Sequence, residues 1–345
     1  MTDNPELIGS EEQLEELLTR PGDDLVELMS RIDGDLIFLG ITGKIGPSLS
    51  LMAARACRNA GVRKRILGVS RTIDPTVQKS LDEAGIETVR GDLLDTEFLS
   101  RLPLFRNVFY LAGMKFGSSA NLPFTWAVNT YLPGLVAAHF RNSRIVAFST
   151  GCVYPLVAPG TGGSIESDML CASGEYAQSC LGRERMFEYG CSRYGTETVL
   201  IRLNYSVEMR YGVLTDIAMK VWRGEAIDLT MGYFNVIWQG DVNDFVLRSI
   251  EHVKNPADIL NITGPELLSV REVALEFGRL LEKEPVFTGS EAETALLSNA
   301  GKSLAVFGKP KVQAAMIIKW ISGWIKGGGK IWDKPTHYEV RNGVY

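Results

Sequence analysis

Histidine is scarce in this chain: only His139, His252 and His337 occur among 345 residues, too few and too scattered for a histidine-based metal site. The five cysteines, Cys57, Cys152, Cys171, Cys180 and Cys191, include no C-x-x-C pair. Neither a zinc site nor a disulfide framework is therefore expected, and the protein is read as metal-free and cytoplasmic. No apolar run reaches the length of a membrane span, and the opening MTDNPELIGSEEQ is acidic, unlike a signal peptide. The formal charge of −5 argues against nucleic acid or an anionic membrane as partner. Internal repeats and low-complexity tracts are also lacking. With 45% hydrophobic residues, the remaining class is globular, with length for one large domain or two smaller ones.

What is present begins at Leu36. A short apolar strand, Leu36–Leu39, runs straight into Gly40-Ile-Thr42-Gly43-Lys44-Ile45-Gly46, and a helical pattern follows. Gly40 lets the chain turn off the strand, Gly43 lets backbone approach a pyrophosphate, and Gly46 lets the new helix pack close to the sheet. The helix N-terminus then offers N–H groups and a positive dipole end to phosphates. A glycine-rich turn without any ligand is the plainer alternative. On the first reading Gly40, Thr42, Gly43, Lys44, Ile45 and Gly46 form a dinucleotide cradle.

From Asp35 strands and helices alternate. Strands are expected at 36–39, 65–69, 87–90, 107–111, 144–149 and 198–203, with helices near 44–60, 75–84, 95–102, 121–141 and 174–194. This alternation predicts an α/β fold with a doubly wound parallel sheet, its ligands at the carboxyl ends of the strands. Four boundaries follow: a helical N-terminal extension over 1–34, a dinucleotide-binding domain over 35–203, a smaller substrate lobe over 204–329, and a tail over 330–345. The lobe is expected to return to the first domain around 236–254. Gly327-Gly328-Gly329 reads as a flexible joint before that tail.

Several further segments stand in a telling order: Gly91-Asp92-Leu93, Tyr110-Leu111-Ala112-Gly113 with Lys115 behind it, Asn129 in Trp126-Ala-Val-Asn-Thr, Ser149-Thr150-Gly-Cys-Val-Tyr154, Tyr176, and Arg202-Leu-Asn204. Together with the glycine loop they resemble the extended short-chain dehydrogenase/reductase family, which contains the nucleotide-sugar epimerases and dehydratases. The likeness covers roughly residues 35–285. It implies a Rossmann sheet with a C-terminal substrate-binding lobe and hydride transfer to or from a nicotinamide. It further implies Tyr176 as acid/base, and Thr150, or less favourably Ser149, orienting the reacting oxygen. Asp92, Leu93, Leu111, Ala112, Gly113, Lys115 and Asn129 would adjoin the cofactor, with Ser70 and Arg71 at the end of the second strand.

The family pattern is Y-x-x-x-K, but here Tyr176 is followed by Cys180. Residues i and i+4 share a helix face, so the lysine ordinarily sits beside the tyrosine and holds the cofactor ribose. A phenol titrates near ~10, and a cation about 4–5 Å away at an effective dielectric near 20 stabilises its anion by roughly 3–4 kcal/mol. A neutral thiol supplies nothing comparable. Three substitutes are conceivable: Lys115, ranked first; Arg183, seven residues beyond Tyr176; and the charge of the oxidised nicotinamide itself. Cys180 is alternatively a reactive thiol or, more commonly for a lone cysteine, a small buried hydrophobe.

Two further expectations concern ligands. The second strand ends Ser70-Arg71 with no acid before Asp74, which favours NADP over NAD, since Arg71 suits a 2′-phosphate. Phe234 stands where nucleotide-sugar members often carry an arginine, and Arg210 and Arg223 are weak substitutes. A smaller sugar, sugar acid or keto-sugar is therefore expected, lined by Asn204, Tyr205 and Trp238. The functional expectation is an NAD(P)-dependent oxidoreductase or epimerase. Its alternatives are a catalytically weakened dinucleotide-binding protein and a cofactor-assisted dehydratase or isomerase. The helices 121–141 and 174–194 resemble those through which family members form homodimers.

Overall fold

The computed structural model describes residues 4–343 apart from 116, 118 and 119. At its centre are seven strands: β1 (Leu36–Leu39), β2 (Ile66–Ser70), β3 (Glu87–Arg90), β4 (Asn107–Tyr110), β5 (Arg144–Thr150), β6 (Glu197–Leu203) and β7 (Asp258–Ile262). Their order is β7-β6-β5-β4-β1-β2-β3, and every neighbouring pair is parallel. This is a doubly wound α/β fold. Strand order reverses between β1 and β4, which opens a crevice at their carboxyl ends.

A sheet covered on both faces needs apolar side chains at every position, and β1 supplies Leu-Ile-Phe-Leu, all buried. Leu36 and Phe38 join Phe109, Val146 and Leu49 on one face. Ile37 and Leu39 join Val108, Tyr110, Ile145 and Phe187 on the other. The segment expected as one helix over 121–141 is instead Leu122–Trp126, a π-helical turn Ala127–Tyr131, and Leu132–His139. The turn buries Asn129. No helix among the described residues is long and apolar enough to cross a membrane.

Three differences from the sequence expectation matter for the site. Residues 259–261 were expected in the smaller lobe, but Asp258–Ile262 pairs with Val199–Leu203 as an outer strand of the main sheet. It covers the backbone groups that β6 would otherwise expose. The N-terminal extension divides between two cores: Leu14, Leu17 and Leu18 pack with Val213, Phe277 and Trp320 in the lobe, whereas Leu25, Leu28 and Met29 pack on the sheet.

The glycine run before the tail is a tight turn, not a loose joint. Gly328 has φ +69°, the Gly329 amide donates to the Trp324 carbonyl at 2.8 Å, and a Cβ on Gly329 would strike the Trp324 ring. The segment beyond it is docked. Thr336 and Tyr338 are buried, and Tyr338 packs beside Phe234.

Candidate functional site

β1 ends in the turn its glycines require. Gly40 has φ +91° and its amide donates to the Val69 carbonyl at 2.8 Å. A Cβ there would come within 2.8 Å of the Ala112 amide nitrogen, and one on Gly46 would strike the Ile41 carbonyl. Gly43 differs: a Cβ would meet only the Gly40 carbonyl oxygen, at 3.3 Å, so its backbone faces open space. Above it lies a cavity of about 230 Å³. Gly40, Thr42, Gly43, Ser70 and Arg71 wall one side, and Asp92, Leu93, Leu111, Ala112 and Gly113 the other. Val69, Thr72 and Gly91 adjoin these residues, and Val128 and Leu132 close the wall. The Thr42 and Ser70 hydroxyls are 2.5 Å apart, and the Arg71 guanidinium lies 5.4 Å from the Phe124 ring.

Three of the six expected cradle residues do not line this cavity: Gly46, which packs on Ile41, and Ile45 and Lys44. Ile45 packs into the sheet core. The Lys44 ammonium lies over the Tyr211 ring on the other side of the loop. Burial, and then the charge of Lys115, pulls Lys44 down to about 6.

At the end of β5 the structure brings Thr150 and Tyr176 together. Thr150 Oγ accepts from the Cys152 amide at 3.2 Å, and its hydroxyl lies near enough to the Tyr176 phenol to lower it. The helix Gly174–Tyr194 presents Tyr176, Cys180 and Arg183 along one side. Burial, then the nearby thiols of Cys180 and Cys152, push the Tyr176 phenol well above its ordinary range. Arg183 and Thr150 pull it down. Cys180 is fully buried among Val153, Tyr154 and Leu181, and burial pushes its thiol up. It is a packing residue, not a reactive thiol.

Other expected site residues take different parts. Lys115, ranked first as the substitute cation, donates from Nζ to the Thr336 carbonyl at 3.3 Å. The positive charge that lowers the Tyr176 phenol is that of Arg183. Ser149 donates to Glu184 at 2.5 Å, which removes it as the orienting hydroxyl. Glu184 in turn holds Arg202, at 2.8 and 3.0 Å, and Arg202 donates to the Tyr154 hydroxyl at 2.8 Å. This buried network beneath β5 and β6 escaped the sequence reading, although the motif residues Tyr154 and Arg202 were its visible signal.

Asn129 spends its amide within the protein rather than on a ligand. Its Oδ1 accepts from the Met114 amide and from Arg183, and its Nδ2 donates to the Met114 carbonyl and to Ser179. It therefore staples the loop after β4 to the helix that carries Tyr176.

The substrate candidates separate. Tyr205, two residues beyond β6, has φ +46°, a left-handed conformation rare for an aromatic residue, and packs against the cluster of Met231, Ala295, Leu296 and Leu297. Asn204 lies beside Gly151 but gives its Nδ2 to Asn235 at 3.1 Å. Trp238 is a core residue, packed edge-on against Trp320 with ring centroids 5.4 Å apart. Arg210 is engaged by Glu208 and Glu15, and Arg223 by Asp333. Phe234 is fully buried in the lobe core.

No protein-family model matches this chain, and no curated protein matches it significantly in sequence. Solved structures do match. MoeE5, solved in complex with UDP-glucose and NAD, aligns over 86% of this chain and 99% of its own, with TM-score 0.67 and 18% identity. The UDP-glucose 4-epimerase of Thermotoga maritima, solved with UDP-glucose, aligns over 85% and 99%, with TM-score 0.69 and 17% identity. The UDP-glucuronic acid 4-epimerase of Bacillus cereus, solved with NAD, aligns over 86% and 100%, with TM-score 0.70 and 15% identity.

The chain shares the fold of these three proteins. Within that fold the NAD held by MoeE5 and by the Bacillus enzyme gives no support to the NADP preference read from Arg71.

Proposed function

We propose that the chain binds NAD across the carboxyl ends of the central strands and acts on a hydroxyl or carbonyl of a sugar-like compound, as an epimerase, dehydratase or oxidoreductase. The observation that carries this reading is the cavity over the glycine turn at the carboxyl ends of the strands, with Tyr176 packed beside Val153 and Tyr154 on the turn that follows Thr150. The residues present suit the cofactor. Gly43 leaves backbone open for a pyrophosphate, Ser70 and Arg71 stand where the second strand ends, and Asp92 and Leu93 line the far wall. When bound, the nicotinamide accepts or returns hydride.

In this reading Thr150 orients the reacting oxygen and Tyr176 takes or gives its proton, a role worth about 10²–10⁴ in rate. Tyr205 lines the substrate side. The cavity, at about 230 Å³, falls below the ~300–1,000 Å³ typical of ligand sites. The C-terminal segment is tied to Lys115 and to the start of the Tyr176 helix, and would have to yield to a full dinucleotide and substrate. A homodimer through the helices bearing Tyr131 and Tyr189 is part of this reading, since both rings are exposed.

The test is equilibrium dialysis with NAD and NADP, then incubation with UDP-sugars, free sugars and sugar acids. Reduced-nicotinamide absorbance and product identity are both followed, because an epimerase regenerates its cofactor. NAD binding with formation of an epimer, keto or dehydrated product is expected; failure to bind either dinucleotide refutes the reading. The buried, neutral Cys180 favours one second reading, a dinucleotide-binding protein without turnover. There, Tyr176→Phe would leave the biological role intact.

A further inference from the structure

Burying a cation is costly unless a carboxylate accompanies it. Arg183 is 5% exposed, and its hydrogen-bond partners are neutral: Nη1 donates to the Phe148 carbonyl at 2.9 Å and Nη2 to Asn129 Oδ1 at 2.7 Å. Nε has no partner among the described residues. The adjacent Glu184 contributes a field but gives its oxygens to Arg202 and Ser149. The guanidinium thus keeps its charge inside the protein with no carboxylate paired to it among the described residues.

Its position is specific. It lies against β5 and under the loop after β4, where a Cβ on Gly113 would sit 2.6 Å from Nη2. Gly113 itself lines the dinucleotide cavity. Arg183 is two helical turns beyond Tyr176, and helical side chains lean towards the N-terminus, which carries the guanidinium back along the Tyr176 face. The groups it faces are Tyr176 and Cys180 on its own helix and Tyr110 on β4, whose ring centroid is 5.9 Å away. Cys152, on the turn after β5, completes the surroundings of the phenol.

We propose that Arg183 is the positioning residue that stands in for the missing helix lysine, its guanidinium held by Phe148 and Asn129 so that a fixed positive charge stabilises the ionised form of Tyr176. This rests on the acid/base reading of Tyr176 and adds a residue to it. The same placement accounts for Cys180. A lysine there would set a second cation one turn from Arg183 in a buried setting, where like charges repel strongly. Asn129 acquires a purpose as well, since it orients the fork.

The experiment places difluorotyrosine, an acidic phenol that titrates within the stable range, at position 176 of the full chain and follows it by fluorine NMR. Arg183→Gln is expected to raise the titration midpoint by about one pH unit or more, a tenfold loss of ionisation, whereas Arg183→Lys leaves it within a few tenths. A folded Arg183→Gln chain with an unchanged midpoint overturns the proposal. Should that variant not fold, Arg183→Lys decides: a midpoint raised by about a unit despite the retained charge is equally fatal. NAD dialysis on the unaltered chain separates the two readings, because lost binding refutes the proposed function while an unmoved midpoint refutes only the Arg183 role.

Discussion

Thr336 directs both its backbone amide and its hydroxyl at one carboxylate oxygen of Asp216, at 2.7 and 2.6 Å. Asp216 lies in the first turn of the lobe helix Val213–Arg223, and the Thr336 carbonyl accepts from Lys115 on the loop after β4. Farther on, Gly343 packs against Gly174, the first residue of the helix that carries Tyr176. The C-terminal segment therefore ties together the lobe, the loop after β4 and the start of the helix bearing the phenol. A stretch too polar to form a domain has become a strap across these elements.

Tyr338 anchors that strap. It is 1% exposed and sits in the lobe core. Tyr338→Ala is expected to cost about 3–5 kcal/mol, the usual range for emptying a buried aromatic site. Urea unfolding measures the loss, and limited proteolysis should then cut within 330–343. An unchanged unfolding midpoint would show that the strap contributes nothing.

Lys44→Met tests a buried charge. The folded-state value of about 6 lies below the ordinary ~10.4, so between these limits the unfolded chain holds more protons and stability rises with pH. Below about 6 the charged ammonium is buried at full cost. The variant should be the more stable chain, by the widest margin at acidic pH and by least at alkaline pH. Denaturant titrations on either side of the window check the sign. NAD affinity should hold, because the ammonium points at Tyr211 and away from the cavity.

Glu184 and Arg202 form a buried pair, 0% and 2% exposed in their side chains. Glu184→Ala strands Arg202 and leaves Ser149 without its acceptor. A loss of about 3–5 kcal/mol is expected, the range for breaking a buried ion pair from one side. Calorimetry would contradict this by finding a melting temperature close to that of the unaltered chain.

Tyr176→Phe and Thr150→Val address the chemistry. Each is expected to lower turnover by about 10²–10⁴ while NAD binding stays within a few-fold. A loss of binding together with turnover would mean that the pair supports the fold of the site rather than the reaction.

Much of the architecture is legible because it is local. Six strands could be placed within a residue or so from short apolar runs bounded by turns. The helix Gly174–Tyr194 was readable at both ends, where Gly174 and Gly195 adopt φ +77° and +76°. The glycine loop was readable for the same reason, since each glycine answers a short-range steric demand. The pairing of Thr150 with Tyr176 required the family pattern in addition, because their separation in sequence carries no local signal.

What the chain alone determined, then, was its alternation of strands and helices, its glycine turn and part of the cavity wall, Gly40, Thr42, Gly43, Ser70, Arg71, Asp92, Leu93, Leu111, Ala112 and Gly113. Only tertiary structure decided that Lys44 leans on Tyr211, that Trp238 packs on Trp320, that Asp258–Ile262 completes the sheet, and that Arg183 is held by Phe148 and Asn129 while Lys115 reaches Thr336. The reason is physical. Backbone conformation follows from neighbours a few residues away, whereas a long side chain settles where distant elements leave it room and a partner.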